Sequence, residues 1–263
     1  MRPRDTNPNP TARERLRLER EQQAKHDRIR RQLIAGGGVV TALIIAAGVT
    51  VFATTRDDAE ATAEKPLVQP ANTSGQEGAT LVLGHAKDRL DLYEDPRCPV
   101  CAEFEQNVGP EVLKGYRDGR YRLSFNFRNF LDARFGGHGS HRALEALGAD
   151  LNVSREAFLD YHAELYSKEN HPSEENDRFN STSYLLKIAD KVPALKGSAK
   201  FETAVKEGTF ATWANRMVEN FNTSKIAGTP TLRYNGRTVA GSSGTAPMTP
   251  PDFTQALNAA SEP

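Results

Sequence analysis

The sequence predicts an α/β domain preceded by a single transmembrane helix. The α/β domain is indicated by an alternating strand pattern at residues 89–93, a helical segment at 99–117 and a second alternating strand at 121–127. A strand, a helix and a strand in this order form a unit whose two strands run parallel. The transmembrane helix is indicated by residues 33–53, which are 21 consecutive residues without a charge. A bilayer core needs roughly 20 such residues.

The flanking charges orient the predicted span. Residues 1–32 carry ten Lys or Arg and five Asp or Glu, whereas acidic residues follow the span closely. The positive-inside rule therefore places residues 1–32 in the cytoplasm as a basic tail. Residues 54–78 are expected to be a linker, and residues 79–263 an extracytoplasmic domain. This arrangement predicts a single-pass protein of the cell membrane.

A cleaved signal peptide is the alternative to a retained anchor. Residues 51–53 suit a cleavage site, and Arg30-Arg31 is typical of a twin-arginine signal. The apolar stretch is longer than the about 7–15 residues of a signal peptide, which favours the anchor. Both alternatives deliver the following domain to an oxidising compartment. The formal net charge of the chain is zero, and its basic excess is confined to the tail, so nothing supports a nucleic-acid partner.

The remaining elements follow in chain order. A strand at 80–84 precedes the unit described above, and Pro110 is expected to kink its helix. Helical patterns then dominate residues 133–222, which we expect to form an inserted helical domain. Asn235-Gly236 predicts a two-residue hairpin turn, and a final helix begins near Pro250. The helices expected within the insertion cover residues 138–148, 154–168, 181–191 and 209–221.

The two cysteines of the chain, Cys98 and Cys101, lie at the start of the helix that follows the strand at 89–93. Pro99 suits the first helical turn, where a missing N–H costs nothing. A thiolate at this helix end is stabilised by unpaired N–H groups and by the helix dipole. We therefore expect Cys98 to have a pKa within the range of about 3.5–7.5 found in Cys-X-X-Cys redox sites, with Arg97 lowering it further.

Three stretches of the sequence resemble the DsbA-like thioredoxin-fold thiol-disulfide oxidoreductases, particularly membrane-anchored forms from Gram-positive and actinobacterial species. They are residues 95–104 around the cysteines, the Gly-Thr-Pro-Thr segment 228–231 with its hairpin, and the helical block between them. The resemblance covers about residues 79–260. It implies a thioredoxin fold with an inserted helical domain, following the transmembrane helix.

The resemblance also assigns the site. It makes Cys98 and Cys101 the catalytic pair, with Pro99 and Val100 between them. It implies a cis bond between Thr229 and Pro230, whose backbone docks an extended substrate segment beside the attacking sulfur. Many such proteins carry a buried acid six residues before the first cysteine, to move the proton of the second. This sequence has Leu92 there, and the neighbouring acids are Asp91, Glu94 and Asp95.

The implied function is the donation of disulfides to the thiols of exported, unfolded proteins. The redox group is the disulfide itself, so no metal or organic cofactor is expected. The resemblance implies a membrane quinone-coupled thiol oxidase as the partner that reoxidises the pair. A disulfide reductase or isomerase of the same fold is the alternative, as is a non-catalytic binding module.

Two further interpretations of the cysteine pair compete with a redox role. A purely structural disulfide would contribute little stability, because it would close a very short loop. A zinc site could combine both cysteines with His138 and His141, whose spacing suits metal ligands. We expect those histidines instead to lie on the first turn of a helix.

Overall fold

The computed structural model describes residues 65–262. The predicted tail, the predicted transmembrane segment and residues 54–64 of the predicted linker lie outside the described residues. None of the helices between residues 65 and 262 combines the length and the apolar character that a membrane crossing requires. Five strands in this part of the chain form one sheet. They are β1 (Leu81–Leu83), β2 (Arg89–Glu94), β3 (Arg122–Phe127), β4 (Thr231–Tyr234) and β5 (Arg237–Thr238).

Helices occur both directly after Cys98 and in the insertion between β3 and β4. The described residues form nine α-helices, and short 3₁₀ turns occur at Gln76–Gly78 and Arg178–Asn180. The α-helices are α1 (Pro99–Asn107), α2 (Gly109–Arg117), α3 (Phe130–Phe135), α4 (Gly139–Leu151), α5 (Arg155–Tyr166), α6 (Thr182–Ala189), α7 (Ala199–Glu207), α8 (Ala211–Thr223) and α9 (Pro250–Ser261).

Strand β2 lies at the centre of the sheet, whose order is β1-β3-β2-β4-β5. It runs parallel to β3, with Leu92 opposite Phe125, and antiparallel to β4, with Leu92 opposite Leu232. The parallel pair predicted from the strand–helix–strand order is therefore confirmed. Because β2 has neighbours on both sides, its C-terminal end, where α1 begins, is held firmly in the middle of the fold.

The hairpin between β4 and β5 turns at Asn235-Gly236, as predicted. Both residues have positive φ angles, 49° for Asn235 and 86° for Gly236. A two-residue hairpin turn of type I′ requires this at both positions, which is why Asn-Gly favours it. The turn fixes the register of β4, the strand that follows Pro230.

The predicted long helix after Cys98 is two helices instead of one kinked helix. Helix α1 ends at Asn107 and α2 begins at Gly109, with Val108 between them at a φ of −111°. Pro110 has no N–H to donate to the carbonyl of Gln106, four residues earlier, so the hydrogen-bond ladder stops there. The break is therefore sharper than the kink expected from the sequence.

Helices α3 to α8 form the inserted helical region between β3 and β4. Its interior joins the core above the sheet, so that one apolar cluster extends through both. The aromatic residues Phe158, Tyr161, Tyr166 and Trp213 of the insertion are all buried. The insertion is thus packed onto the sheet as part of the same fold.

Two helices of the insertion, α3 and α7, were not predicted. The ends of α7 are nevertheless encoded locally: the Ser198 hydroxyl accepts a hydrogen bond from the Phe201 amide, and Gly208 ends the helix at a φ of 59°. Such a left-handed residue favours glycine. The next helix, α8, begins at Ala211, two residues after its predicted start at 209.

Asp150, near the end of α4, is completely buried. Neither of its carboxyl oxygens has a hydrogen-bond partner among the described residues. Burial raises the pKa of this carboxyl well above its ordinary value of 3.8. The folded chain therefore holds Asp150 in its protonated form at neutral pH, whereas the unfolded chain ionises it.

Asp150→Asn is expected to stabilise the protein at pH 7. Folding of the wild type takes up a proton at Asp150, so its stability falls as pH rises above the unfolded pKa near 3.8 and recovers as pH is lowered. Asparagine has the same shape and needs no proton. We expect a higher melting temperature at pH 7, by roughly 2–4 °C for each kcal/mol gained, and a smaller difference at pH 4, measured by circular dichroism.

Asp160→Asn is the matched control, because Asp160 is exposed on the next helix. It should leave the melting temperature within a degree or so of wild type, as ordinary surface substitutions do. An Asp150→Asn protein that melts below wild type at pH 7 would contradict the assignment of a protonated, unpartnered carboxyl.

Candidate active site

Cys98 occupies the N-cap position of α1. Its Sγ accepts a hydrogen bond from the backbone N–H of Cys101 at 3.4 Å, and Pro99 takes the first helical position. The residue order explains this geometry, because the N-cap side chain faces the free amides of the first turn and proline needs no partner there. The predicted placement of Cys98 at a helix N-terminus is confirmed.

The loop before β4 faces the same sulfur. The peptide bond between Thr229 and Pro230 is cis, as the family resemblance implied. The Sγ of Cys98 lies 3.7 Å from the carbonyl oxygen of Thr229. Four of the sequence-predicted site residues, Cys98, Cys101, Thr229 and Pro230, are therefore brought together from segments some 130 residues apart.

The two thiols have opposite environments. A hydrogen bond from the Cys101 thiol, and further ones from the Cys101 and Val100 amides and from Thr229, lower the pKa of Cys98 to about 7 against the opposing effect of burial. Burial raises the pKa of Cys101 well above its ordinary value of 9.0, and the neighbouring Cys98 and Glu94 raise it further. Cys98 is therefore the sulfur of the reduced pair that ionises near neutral pH, while Cys101 keeps its proton.

Val100 marks the exposed side of the pair. Its side chain is 48% accessible, whereas Cys98 is 5% and Cys101 0% accessible. Val100 lines a groove of about 440 Å³ together with the Thr229-Pro230 loop and the apolar side chains of Leu232 and Met248. The groove gives an extended peptide a place to lie beside Cys98.

Arg97 does not have the role expected from its position next to Cys98. Its side chain is 1% accessible, and Nη1 lies 2.9 Å from Asp132 Oδ1 and 3.1 Å from Asp177 Oδ1. Two backbone carbonyls of the insertion accept further hydrogen bonds from the guanidinium, those of Gly136 and Glu174. Two carboxylates neutralise this charge, so the expectation that Arg97 lowers the pKa of Cys98 is wrong. Arg97 instead connects the active-site loop to the insertion.

Asp95 makes a second tie between the same loop and the insertion. Its carboxyl accepts hydrogen bonds from the Ser140 hydroxyl at 2.6 Å, the Arg97 amide at 3.0 Å and the Leu131 amide at 3.2 Å. Burial raises the pKa of Asp95 to about 6 despite these bonds. Residues 95–97 are thereby fixed immediately before Cys98.

Buried acids lie behind the cysteine pair, although position 92 is a leucine. Glu94 is 1% accessible, and its Oε2 lies 2.9 Å from Nε2 of His162. The carboxyl of Glu105 lies close by: one oxygen of each carboxyl and one ring nitrogen of His162 are all within 4.8 Å of one another. Sequence reasoning singled out neither Glu105 nor His162. A signal was present, because Glu105 follows Cys101 by four residues and so lies on the same face of α1.

The histidines considered as zinc ligands are placed elsewhere. His138 is exposed before α4. The two ring nitrogens of His141 contact Glu145 at 3.0 Å and Asn215 at 2.8 Å. Within residues 65–262, the side chains close enough together to ligate an ion are Glu94, Glu105 and His162, a set without a cysteine.

Comparison with known proteins agrees with this geometry. A family model described as Thioredoxin matches residues 76–259. Disulfide bond formation protein D of Bacillus subtilis (strain 168) is 26% identical over 160 residues, which are 60% of this chain and 68% of that protein.

Solved structures give the same result. DsbA from Mycobacterium tuberculosis, in its oxidised crystal structure, is 25% identical, with a TM-score of 0.53 over 74% of this chain and 98% of that one. MdbA, a thiol-disulfide oxidoreductase from Actinomyces oris, shares the fold at 24% identity, with a TM-score of 0.58 over 69% of this chain and 88% of that one. The chain belongs to the thioredoxin family and is a DsbA-like thiol-disulfide oxidoreductase.

Proposed function

We propose that Cys98 and Cys101 are the redox pair of an oxidase that introduces disulfides into exported proteins. The observation that carries this proposal is the asymmetry of the pair. Cys98, at the helix N-cap, has its pKa lowered to about 7, while burial raises that of Cys101 well above 9.0. Stabilising the thiolate of the reduced form favours giving the disulfide away.

The exchange begins with the oxidised pair. A substrate thiolate attacks Cys98 Sγ, forms a mixed disulfide and releases Cys101, which takes up a proton. A second thiolate of the substrate then attacks the substrate sulfur of that mixed disulfide, and Cys98 leaves as a stabilised thiolate. Two electrons pass from the substrate dithiol to the cysteine pair, so no metal or organic cofactor takes part.

Substrate docking uses the groove beside Cys98. The backbone of Thr229 lies within 3.7 Å of the attacked sulfur, so an extended segment that pairs with this backbone presents its cysteine there. Val100 at the rim and the apolar groove wall suit the side chains of an unfolded chain. Because the groove would bind the backbone and apolar side chains of a substrate, we expect it to accept substrates of widely different sequence.

The setting we propose is the outer face of the cell membrane. Residues 33–53 would anchor the chain with its tail in the cytoplasm and residues 79–263 outside, joined by the linker at 54–78. A membrane quinone-coupled thiol oxidase would return the pair to its disulfide, and tethering would raise the frequency of encounter with it. The name of the Bacillus subtilis relative, a disulfide bond formation protein, supports the oxidising direction.

Cysteine replacements test the assignment of the pair. Cys98→Ser should abolish oxidation of a reduced model protein. In Cys101→Ser the Cys98 thiolate can still attack a disulfide of a cell-surface protein and release one of its sulfurs as a thiolate, but no second enzyme thiol can resolve the product. This variant should therefore accumulate mixed disulfides through Cys98, detected by non-reducing gel electrophoresis. A Cys98→Ser protein that keeps the oxidase rate of wild type would show that the pair does not carry the reaction, whereas a wild-type protein without oxidase activity would favour a binding module.

The reduction potential tests the direction of the reaction. We expect the Cys98–Cys101 couple to be more oxidising than the about −270 mV of thioredoxin, measured by equilibration with glutathione buffers. A potential at or below that value would favour a reductase of the same fold.

Thr229→Val tests the contribution of the docking loop to the thiolate. The Thr229 hydroxyl is buried and makes no hydrogen bond within the described residues. It is therefore available to donate to a thiolate on Cys98, whose pKa the Thr229 side chain lowers. Valine keeps the branched shape and removes the donor, so the pKa of Cys98 should rise and the potential should become more reducing. Thiolate absorbance at 240 nm, followed against pH, measures the change.

Thr231→Val is the matched control, because the Thr231 hydroxyl bonds the Gly228 carbonyl instead. It should leave the titration of Cys98 unchanged. If both variants titrate like wild type, the Thr229 hydroxyl does not stabilise the thiolate.

Membrane retention tests the anchor. The chain should remain in the membrane fraction after an alkaline wash, because an uncharged 21-residue span holds by its apolar surface. Release of a soluble form that begins near residue 54 would show that the segment is a cleaved signal peptide.

A further inference from the structure

Three side chains that can ligate a metal ion meet where the active-site helix, the central strand and the insertion come together. Glu94 ends strand β2, Glu105 lies in α1 and His162 lies in α5. One ligand atom from each lies within 4.8 Å of the other two. The thiol exchange proposed above uses none of these three groups.

The two carboxyl groups of this cluster have no cationic side chain beside them. Glu94 is 1% accessible, so its carboxyl is out of contact with water. Among residues 65–262, no lysine or arginine forms an ion pair with Glu94 or Glu105. Buried carboxylates are ordinarily paired with a positive charge or coordinate a metal ion. The cluster therefore has a place for a cation that the side chains around it do not supply.

Each carboxyl group also has an oxygen without a hydrogen bond. Oε1 of Glu94 and Oε1 of Glu105 are both buried, and neither meets a donor in the described part of the chain. Leaving such an acceptor unpaired costs free energy. A metal ion removes this cost, because it binds the lone pairs of carboxylate oxygens directly.

The ligand types and their spacing suit a divalent ion such as zinc. Zinc lies about 2.0–2.2 Å from histidine nitrogen and carboxylate oxygen, so tetrahedral ligand atoms are about 3.4 Å apart. Nε2 of His162 and Oε2 of Glu94 are 2.9 Å apart, and rotation of the Glu105 side chain brings its oxygen to a similar distance. Magnesium and calcium prefer oxygen ligands, so the imidazole favours zinc or another first-row transition metal.

The packing around the cluster holds two of the three ligands in place. The imidazole of His162 lies among aromatic rings, with centroid distances of 4.9 Å to Tyr166, 5.1 Å to Phe125 and 5.7 Å to Phe158. Glu94 is paired opposite Phe127 at the end of the central strand. A site whose ligands are fixed by packing loses little conformational entropy when the ion binds.

A cleft gives the third ligand access to solvent. It measures about 390 Å³, lies between α1, α2 and α5, and is lined by Glu105 and Tyr166. Gly109 is also in its wall and leaves room for the acid, because a Cβ there would meet Glu105 Oε2 at 2.5 Å. The cleft shares no lining residue with the groove beside Cys98. An ion can therefore enter from this side while the groove is occupied.

We propose that Glu94, Glu105 and His162 form a binding site for a divalent transition-metal ion, with zinc as the ion that best fits the ligands. Two carboxylates balance the charge of the ion, and water from the cleft supplies the fourth ligand. The ion joins β2 and α1 to α5, so it fastens the insertion to the sheet and to the active-site helix. This site goes beyond the proposed function and does not depend on it, because thiol exchange proceeds without the ion.

The test measures zinc binding to the full chain with the disulfide between Cys98 and Cys101 formed, so that neither cysteine offers a thiolate to the ion. Protein freed of metal with a chelator is titrated with zinc chloride and followed by calorimetry. Wild type should bind one zinc ion tightly. Glu105→Gln should weaken this binding on the order of 10²-fold, because even groups that only orient a ligand contribute about 10–100-fold.

Glu103→Gln is the matched control, because Glu103 is an exposed acid of the same helix. It should bind zinc with the affinity of wild type. The proposal is overturned if wild type binds no zinc, or if the two variants bind it equally well. Magnesium chloride that binds as tightly as zinc would also contradict a site with an imidazole ligand.

Two measurements on wild type cover a variant that fails to fold. At a free zinc concentration about a hundred times the dissociation constant, the melting temperature should rise by roughly 5–10 °C, because the ion binds only the folded chain. In crystals soaked with zinc, anomalous scattering should place the ion between Glu94, Glu105 and His162. An unchanged melting temperature, or zinc found only at other residues such as the exposed His138, would refute the site.

Discussion

The hydrogen bonds that the first turn of α1 donates to Cys98 Sγ are the interaction on which the site depends. A sulfur at the N-cap meets amides that have no partner within the helix, and this favours the thiolate over the thiol. The same turn carries Cys101 into the core, where no such stabilisation is available. One helix end thus separates the acidities of two cysteines that are three residues apart, and this difference sets the order in which the sulfurs react.

The helix end is useful only because the segment before it is held in place. Arg97 and Asp95 are both buried in that segment, and both bond to the helical insertion. The guanidinium of Arg97 forms ion pairs with Asp132 and Asp177. Because these carboxylates neutralise its charge, it does not lower the pKa of Cys98. The insertion therefore contributes to the site by holding the residues that precede the cysteines, while the groove beside Cys98 is lined by Val100 and by residues of β4, β5 and their loops.

Cys98 and Cys101 have different surroundings. Cys98 lies beside the groove, where donors from its own helix and from Thr229 lower the pKa of its thiol. The acids Glu94 and Glu105 lie on the side of Cys101, and Glu105 also lines a separate cleft. The groove and the cleft share no lining residue.

The sequence by itself determined the features that depend on local chemistry. The Cys-Pro-Val-Cys segment predicts a helix N-terminus because proline suits the first turn, Asn235-Gly236 predicts its hairpin because both residues accept positive φ, and β2 and β3 follow from alternation. Cys98, Cys101, Thr229 and Pro230 were located by motif before any contact was known. Even so, local signals were incomplete, as α3, α7 and the break at Val108 show.

Only the tertiary structure decided which polar groups meet. Arg97 is adjacent to Cys98 in sequence, but two carboxylates more than 30 residues away neutralise it. His162 and Glu94 are 68 residues apart and bond directly. The pKa of a side chain depends on its burial and on the charges around it, and both are set by packing between distant segments. The sequence therefore located the sulfurs and indicated that Cys98 ionises first, and the fold determined which charged and polar groups surround each of them.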